Sequence, residues 1–394
     1  MMNILFVSSH LLYPAARSGG AKRLYNLAKS LESKNKVWVT CFDGIGEIRE
    51  YANSGTNFEH FLVLKIHKKN KLNGLFKTPF NMANEFLNPA NGFLKFVESP
   101  KIEVVFLAYP LALGFPRNFF PNAKFVYIDD DLVFEKHRLE LSSSSKLWWR
   151  TWLRFFRLKQ LILFYAKNLS QTHLFIAISK QESEIINKEF PKIKTSIIPY
   201  GIDMKEYPIL PLPKSFGTLG YIGNFNHLPN FDAVEYFRWT IWPEASKKFP
   251  DLKWIICGTS IPKHWKDAPF HNHSIEFLED VKDLSLFYKR IDIFINPVIT
   301  GRGLRTKIIE ASAYGRAIIS TSLGKEGVEN LEMMTADNLQ SWLESIKRLV
   351  NGYEGIENIL TKNREVVKTL FSNEAIHQKI ELALNDLIGH QNNA

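Results

Sequence analysis

The stretch Gly301 to Gly315, GRGLRTKIIEASAYG, places two glycines and then Arg305, Lys307 and Glu310 where a helix should begin. Cations are disfavoured there, because the helix dipole carries partial positive charge at its N-terminus. An anion bound at the helix mouth would remove the conflict. Gly301 and Gly303 let backbone amides approach a ligand closely, and the free N–H groups of a first helical turn point the same way. Lys307 and Glu310, three residues apart, share a helix face. The amides, Lys307 and Arg305 would hold the anion, and Glu310, one turn further in, would accept hydrogen bonds from hydroxyls. A phosphate joined to a ribose has both parts. The competing reading is an ordinary loop and helix with exposed cations.

Two other stretches could carry chemistry. YIDDDLVFEKHRLE offers Asp129, Asp130, Asp131, Glu135 and His137 just beyond an apolar run, a place from which Asp130 or His137 could act on a substrate by proton transfer. The alternative is a solvated acidic loop with an N-capping Asp. Clustered aspartates without further ligands argue weakly for a metal, and none is expected. His10 is a further candidate, with a structural hydrogen bond as the competing role. From Leu141 to Gln181 there is no acidic residue at all. Within that segment the helical spacing puts Trp148, Trp152, Phe155 and Phe156 on one face, with Arg150, Arg154 and Arg157 on the opposite one. Such a helix suits an anionic membrane surface; alternatively it is a core-packing helix with the aromatics turned inward and the arginines solvated.

These residues need elements to position them. NILFVSSH is a short apolar run ending in small polar residues, followed by a helical spacing at Leu24, Leu27, Ala28 and Leu31, and then by the strand-like KVWVTCF. This βαβ reading continues through IEVVFLAY, AKFVYID, HLFIAIS and KTSIIPYG, and predicts a parallel sheet covered by helices. Pro208, Pro211 and Pro213 then mark a linker and a domain boundary. The wound pattern restarts at FGTLGYIGNF and runs through LKWIICGTS, IDIFINPV and RAIISTSLG. Ligands of open parallel sheets bind outside the carboxyl ends of the strands. The glycines at Gly258, Gly301/Gly303 and Gly324/Gly327, each following a strand, should gather on that one edge. The expected domains are 1–200 and 201–372, with a helix from 373–394 packing back on the first and a cleft between the two.

Composition narrows the class. A 394-residue chain with 45% hydrophobic residues is globular and too long for one ordinary core. Met1 leads straight into NILFVSSH without a cleavage pattern, and no apolar run approaches a membrane span, so a cytoplasmic protein is expected. The two cysteines, Cys41 and Cys257, sit in strand-like runs and indicate neither a disulfide framework nor a zinc site. The charge excess lies wholly in the first half: residues 1–200 hold 28 Lys and Arg against 16 Asp and Glu, residues 201–394 hold 22 against 24. A polyanion, an anionic membrane or a phosphate-bearing substrate would each fit, as would a basic surface kept for solubility. Nucleic acid is not expected as a partner, because no recognition motif accompanies the charge.

The segment GRGLRTKIIEASAYGRAIISTSLGKEG resembles the nucleotide-sugar site of glycosyltransferase family four, and YIGNFNHLPNFDAVEYF, SIIPYGID, IAISKQE and RSGGAKRLYNLAKSL are similar to that family's landmarks in the same order. The resemblance implies a GT-B fold, α/β with two facing Rossmann-like domains, parallel sheets and a deep interdomain cleft. It implies a hexosyl- or related glycosyltransferase using a UDP- or GDP-sugar, with no cofactor, usually retaining and metal-independent, acting on a glycan or lipid-linked acceptor; the basic aromatic helix would put it peripherally at the inner face of the cell membrane. Glu310 matches the second acid of the family's Glu-x7-Glu pattern, implied to hold the donor ribose. Arg305 and Lys307 match a subgroup with G-x-G-x-R-x-K-x-x-E and are implied to neutralise the pyrophosphate. Gly19 and Gly20 match the amino-terminal glycine loop; Gly223, Asn224, Gly258, Gly301, Gly303 and Leu304 complete the implied donor contacts. Arg302 stands where the first acid should be, and Asn224, Asn226 and His227 stand where relatives carry Arg and Lys. These departures leave donor choice open, and with it the alternative of a catalytically inactive, GT-B-shaped protein that binds nucleotide or a partner.

Overall fold

The strand-like runs are apolar on both faces, as strands sandwiched between two helical layers must be. The computed structural model describes residues 1–13, 19–43, 57–65, 92–98, 100–129, 132–142, 148–211, 216–266, 274–281, 283–301 and 303–389. They build two compact units, Met1–Gly201 with Ile376–Ala394, and Ile202–Ala375.

In the first unit, β1 (Asn3–Ser8), β2 (Lys36–Asp43), β3 (His60–Lys65), β4 (Val104–Ala108), β5 (Lys124–Ile128), β6 (Leu174–Ala177) and β7 (Thr195–Ile197) pair in the order β3-β2-β1-β4-β5-β6-β7. All pairings are parallel, and the order reverses between β1 and β4. Alternation along β1 sends Leu5 and Val7 into one apolar layer and Ile4 and Phe6 into the other. The second layer is closed by Ile376, Ile380, Leu384 and Leu387 of the C-terminal helix Asn373–Gly389, so this last helix belongs to the first unit's core. Its apolar residues recur at the three- and four-residue spacing of one helix face.

In the second unit, β8 (Thr218–Asn224), β9 (Lys253–Thr259), β10 (Ile275–Glu279), β11 (Ile293–Asn296), β12 (Ala317–Ser320) and β13 (Met334–Thr335) pair in parallel in the order β10-β9-β8-β11-β12-β13. Trp254 and Ile256 of β9 face one layer, Ile255 and Cys257 the other. Both cysteines are buried and free, and burial pushes the Cys257 thiol up to about 12. The chain enters and leaves this unit through paired segments: Ile202 N–H donates to the Phe371 carbonyl and Asn373 N–H to that of Ile202, both at 2.8 to 2.9 Å.

The proline-rich segment is not a free linker. Tyr207 and Leu210 are buried in the second unit's core, and Arg364 donates to the Tyr207 carbonyl at 2.9 Å. Proline removes backbone donors but not side-chain packing, so the segment is irregular yet fixed.

At the carboxyl ends of β8 and β9, Gly223 pairs with Gly258. Gly258 has φ +147, and a Cβ there would lie 1.8 Å from the Gly223 carbonyl oxygen. Gly258→Ala should therefore cost roughly 2–4 kcal/mol through strain and overpacking. Urea denaturation would read this as a lower midpoint at unchanged slope; an unchanged midpoint would show that the glycine pair is not required for packing.

Candidate functional site

The helix Thr306–Ala313 begins beyond the carboxyl end of β11, with Arg305 as its N-cap. Gly301 (φ +84) and Gly303 (φ +107) turn the chain into it through backbone conformations that side chains rarely adopt. A Cβ on Gly301 would press on Pro229 at 2.8 Å, and Thr300 donates to Asp232 at 3.2 Å, so the loop leans on the start of the Leu228–Tyr236 helix. At the other end, Gly315 N–H donates to Ser312 and Arg316 N–H to Ala311, and Gly315 adopts φ +71. That pair of bonds closes a Schellman cap.

The first helical turn carries Lys307 into a half-buried position at the ends of β8 and β11. Its Nζ donates to Asn230 Oδ1 at 2.7 Å and to the Tyr221 hydroxyl at 3.4 Å, and lies 4.7 Å above the centre of the Tyr221 ring. The same Nζ would be 3.1 Å from a Cβ on Gly223, so the glycine leaves the room that the ammonium occupies. Burial drives the Lys307 pKa down from 10.5 to about 7; Glu310 pulls it up and Arg305 down. No salt bridge relieves it among the described residues.

Arg305 is half-hidden behind the same loop. Its Nη2 donates to the Gly301 carbonyl at 3.0 Å and to that of Leu323 at 3.5 Å, tying the loop after β11 to the one after β12. Its Nε is buried without a partner, and burial lowers the guanidinium's affinity for its proton. Leu304 packs against the apolar layer beneath. One turn into the helix, Glu310 accepts from the Tyr288 hydroxyl at 3.3 Å. At the end of β8, Asn224 Oδ1 accepts from Asn226 N–H at 3.0 Å and its carbonyl accepts from Asn230 Nδ2 at 2.8 Å.

The structure thus brings Lys307, Arg305, Glu310, Gly223, Asn224, Gly258, Gly301, Gly303 and Leu304 to one edge of one sheet. Arg302 lies outside the described residues. Tyr221, Asn230 and Tyr288 also belong to this cluster. No local motif announces them, because their partners lie 22 to 86 positions away in the chain.

Among the described residues, the first unit's candidates are not gathered into one such edge. Gly19 and Gly20 open the Gly19–Glu32 helix, and Arg23 in its second turn is spent on the Ile198 carbonyl at 2.9 Å. Asp130 lies outside the described residues. Asp129 is no solvated acid: it is 1% exposed and accepts from the Tyr127 and Tyr165 hydroxyls, each at 2.8 Å. Glu135 pairs with Arg138 at 2.9 Å. His137 lies in the helix Val133–Ser142 rather than in the loop. His10 stacks edge-on against Tyr109, whose φ is +71, at the point where the strand order reverses. Among the described residues no three His, Cys, Asp or Glu side chains converge on a metal position.

The basic aromatic helix, Trp148–Leu169, buries Leu158, Phe164, Tyr165 and Leu169. Trp152 (63%), Phe155 (58%), Phe156 (48%) and Leu163 (60%) are exposed, which overturns the reading with the aromatics turned inward. Trp152 and Phe156 stack on one another at 6.0 Å, and Arg154, Arg157 and Lys159 are also exposed. The side chains of Trp148 and Arg150 lie outside the described set. No helix among the described residues is long and apolar enough to cross a membrane.

Comparison with known proteins places this edge. Residues 217–352 match the family model described as glycosyl transferases group 1. A protein of Klebsiella pneumoniae, named only as an uncharacterized 44.6 kDa protein in the cps region, is 28% identical over 114 residues, 27% of this chain and 29% of that protein. The chain therefore matches less than a third of that relative's length. Among solved structures, sucrose-phosphate synthase from Thermosynechococcus elongatus is similar over 99% of this chain and 100% of its own, with TM-score 0.72 and 14% identity. HepE from Anabaena in complex with UDP aligns over 98% and 100% with TM-score 0.65 and 14% identity. A TarM variant from S. aureus, in complex with Fondaparinux, alpha-GlcNAc-glycerol and UDP, aligns over 98% and 100% with TM-score 0.63 and 13% identity. At these identities the likeness establishes the fold. The sheet that carries Lys307 thus lies within the residues that match the glycosyl transferases group 1 model, in a chain whose two parallel-sheet, Rossmann-like units have the GT-B fold.

Proposed function

We propose that the chain is a glycosyltransferase that moves a sugar, a hexose or a relative of one, from a UDP- or GDP-sugar to a glycan or lipid-linked acceptor during surface polysaccharide or glycolipid synthesis. The observation that carries this reading is the half-buried Lys307 ammonium at a glycine-lined strand edge, one turn ahead of Glu310. Similar proteins are named with UDP and, in one case, with a glycosylated glycerol, and a relative lies in a cps region.

Cleavage of the donor's glycosidic bond leaves negative charge on the departing diphosphate. Lys307, Arg305 and the N–H groups of the first turn of Thr306–Ala313 would stabilise that charge, and Glu310 would accept from the ribose hydroxyls. Three fixed sources of positive potential on a leaving diphosphate make a resident metal unnecessary. A retaining outcome follows only from the family resemblance. The first unit would take the acceptor side, with His137 and Asp130 as its candidate groups, and Gly19 and Gly20 would meet the donor phosphates.

UDP or GDP should raise the melting temperature by several degrees at saturating concentration, as any ligand of the native state does. Lys307→Met should remove most of that rise without lowering the melting temperature of the ligand-free protein, because it deletes a buried charge of nearly the same volume. A full nucleotide panel without any shift would sink the donor site. If UDP binds but no nucleotide sugar is hydrolysed or transferred, the inactive binder stands instead.

The proton balance gives a separate test. A bound diphosphate favours the ammonium, so it raises the Lys307 pKa from about 7 in the free protein. Below that value lysine is protonated with or without ligand and contributes no pH dependence. Above it, each binding event takes up a proton, and affinity should fall by up to about tenfold per pH unit between 7 and 9. Calorimetry at pH 8 in two buffers of different ionisation enthalpy should count close to one proton taken up in the wild type and none from this source in Lys307→Met.

The exposed Trp152, Phe155, Phe156 and Leu163, flanked by Arg154, Arg157 and Lys159, suit an anionic lipid surface, which would put the enzyme peripherally at the inner face of the cell membrane beside a lipid-linked acceptor. Vesicles containing anionic lipid should carry the wild type upward in flotation, and Trp152→Ala with Phe156→Ala, or Arg154→Glu with Arg157→Glu, should each cut recovery severalfold. Equal recovery of all three proteins would dismiss the membrane surface.

A further inference from the structure

The opening motif does not explain how Lys307 is held. Its ammonium has three N–H donors, and its contacts come from the start of another helix and from the adjacent strand. Asn230 lies in the first turn of Leu228–Tyr236. Its Oδ1 accepts from Lys307 Nζ at 2.7 Å and from the Tyr221 hydroxyl at 3.1 Å, while its Nδ2 donates to the Asn224 carbonyl at 2.8 Å. The amide cannot be turned over without loss. A flipped Asn230 would set its oxygen against the Asn224 carbonyl, which has no proton to give, and its NH₂ against an ammonium that can accept nothing. The orientation is therefore determined from both ends, and the oxygen is committed to the lysine.

What the oxygen lacks matters as much as what it offers. A carboxylate at 2.7 Å would hold the ammonium more strongly but cancel its charge; a hydrophobic residue would leave it unheld. A neutral amide oxygen fixes the position and leaves the charge uncompensated. Asn230 and Tyr221 engage two of the three N–H donors. The space beside Nζ is kept open by Gly223, whose Cβ would lie 3.1 Å from both Nζ and Asn230 Cγ.

We infer that Asn230 is the positioning residue for the Lys307 ammonium, fixing it at the donor-site edge through a neutral amide so that its charge and its remaining N–H serve a bound diphosphate. The inference rests on the donor-site reading above and assigns a role to a residue outside the GRGLRTKIIE motif. The titratable and charged groups facing Lys307 are Tyr221 from β8, Arg305 and Glu310 from its own segment, and Tyr288 from the helix Leu284–Arg290, which bonds Glu310 and reaches the Lys307 carbonyl at 3.4 Å.

The test uses the whole chain and two variants that push in opposite directions. In the ligand-free protein, the Lys307 side-chain NMR signal, assigned by its loss in Lys307→Met, should titrate near pH 7. Asn230→Asp should move that midpoint upward by about one unit or more, and Asn230→Ala should move it downward. Both should bind UDP about tenfold more weakly or worse, the first because the charge is neutralised and the second because it is unfixed. A purely scaffolding asparagine would change the melting temperature but not move the two midpoints apart. Midpoints equal to wild type in both variants, or unchanged UDP affinity in both, would overturn the inference while leaving the donor site standing. A wild type that binds neither UDP nor GDP removes the donor site instead, and the midpoints still decide whether Asn230 holds the lysine. If Asn230→Asp does not fold, Asn230→Ala alone decides by the same two readings.

Discussion

The constraint on which this sheet edge depends is a half-buried lysine ammonium with no salt bridge among the described residues. A depression from 10.5 to about 7 corresponds to up to roughly 5 kcal/mol against the charged form, a large fraction of a domain's whole stability. Such a group persists only where the surrounding structure holds it. Here the surroundings are a glycine at the end of β8 that makes room, an asparagine and a tyrosine that accept its hydrogen bonds, and a helix start that delivers it. Most features of this sheet edge follow from accommodating that one charge.

The glycines then have distinct tasks. Gly223 and Gly258 oppose one another where two strands end, and neither tolerates a side chain, for the first would meet the lysine and the second the neighbouring carbonyl. Gly301 and Gly303 redirect the backbone into the helix. Arg305 spends its guanidinium on the carbonyls of two loops, so it shapes the edge as well as charging it. The first unit shows the opposite economy: Asp129 and Arg23 are buried and satisfied by hydrogen bonds inside their own unit, and the conspicuous exposed chemistry is the aromatic and basic face of Trp148–Leu169.

Much of this was legible in the sequence where the relevant physics is local. Parallel sheets buried on both faces write themselves as continuous apolar runs ending in small residues, which is why the two wound patterns, the glycine at the end of β9 and those after β11 and β12 could be placed. The 3.6-residue period exposed the shared face of Lys307 and Glu310. The same period was ambiguous for Trp148–Leu169, since it identifies faces but not which of them turns inward. That helix anchors itself through Leu158, Tyr165 and Leu169 and leaves Trp152 and Phe156 outside. Likewise, proline spacing signalled irregular backbone, as found for residues 207–211, but said nothing of the burial of Tyr207 and Leu210, which depends on what lies beneath them.

By itself, then, the sequence determined the wound α/β architecture, the glycine-bearing strand ends and the cationic helix start, because each is encoded by neighbours a few residues apart through backbone sterics and helix periodicity. Only the tertiary structure decided that Lys307 is half-buried among neutral partners, that Asn230 and Tyr221 hold it, that Asp129 is internal, and that the aromatic helix face is outward. Burial and hydrogen-bond partnership depend on segments brought together across dozens of positions, and no short-range pattern records which of them will meet.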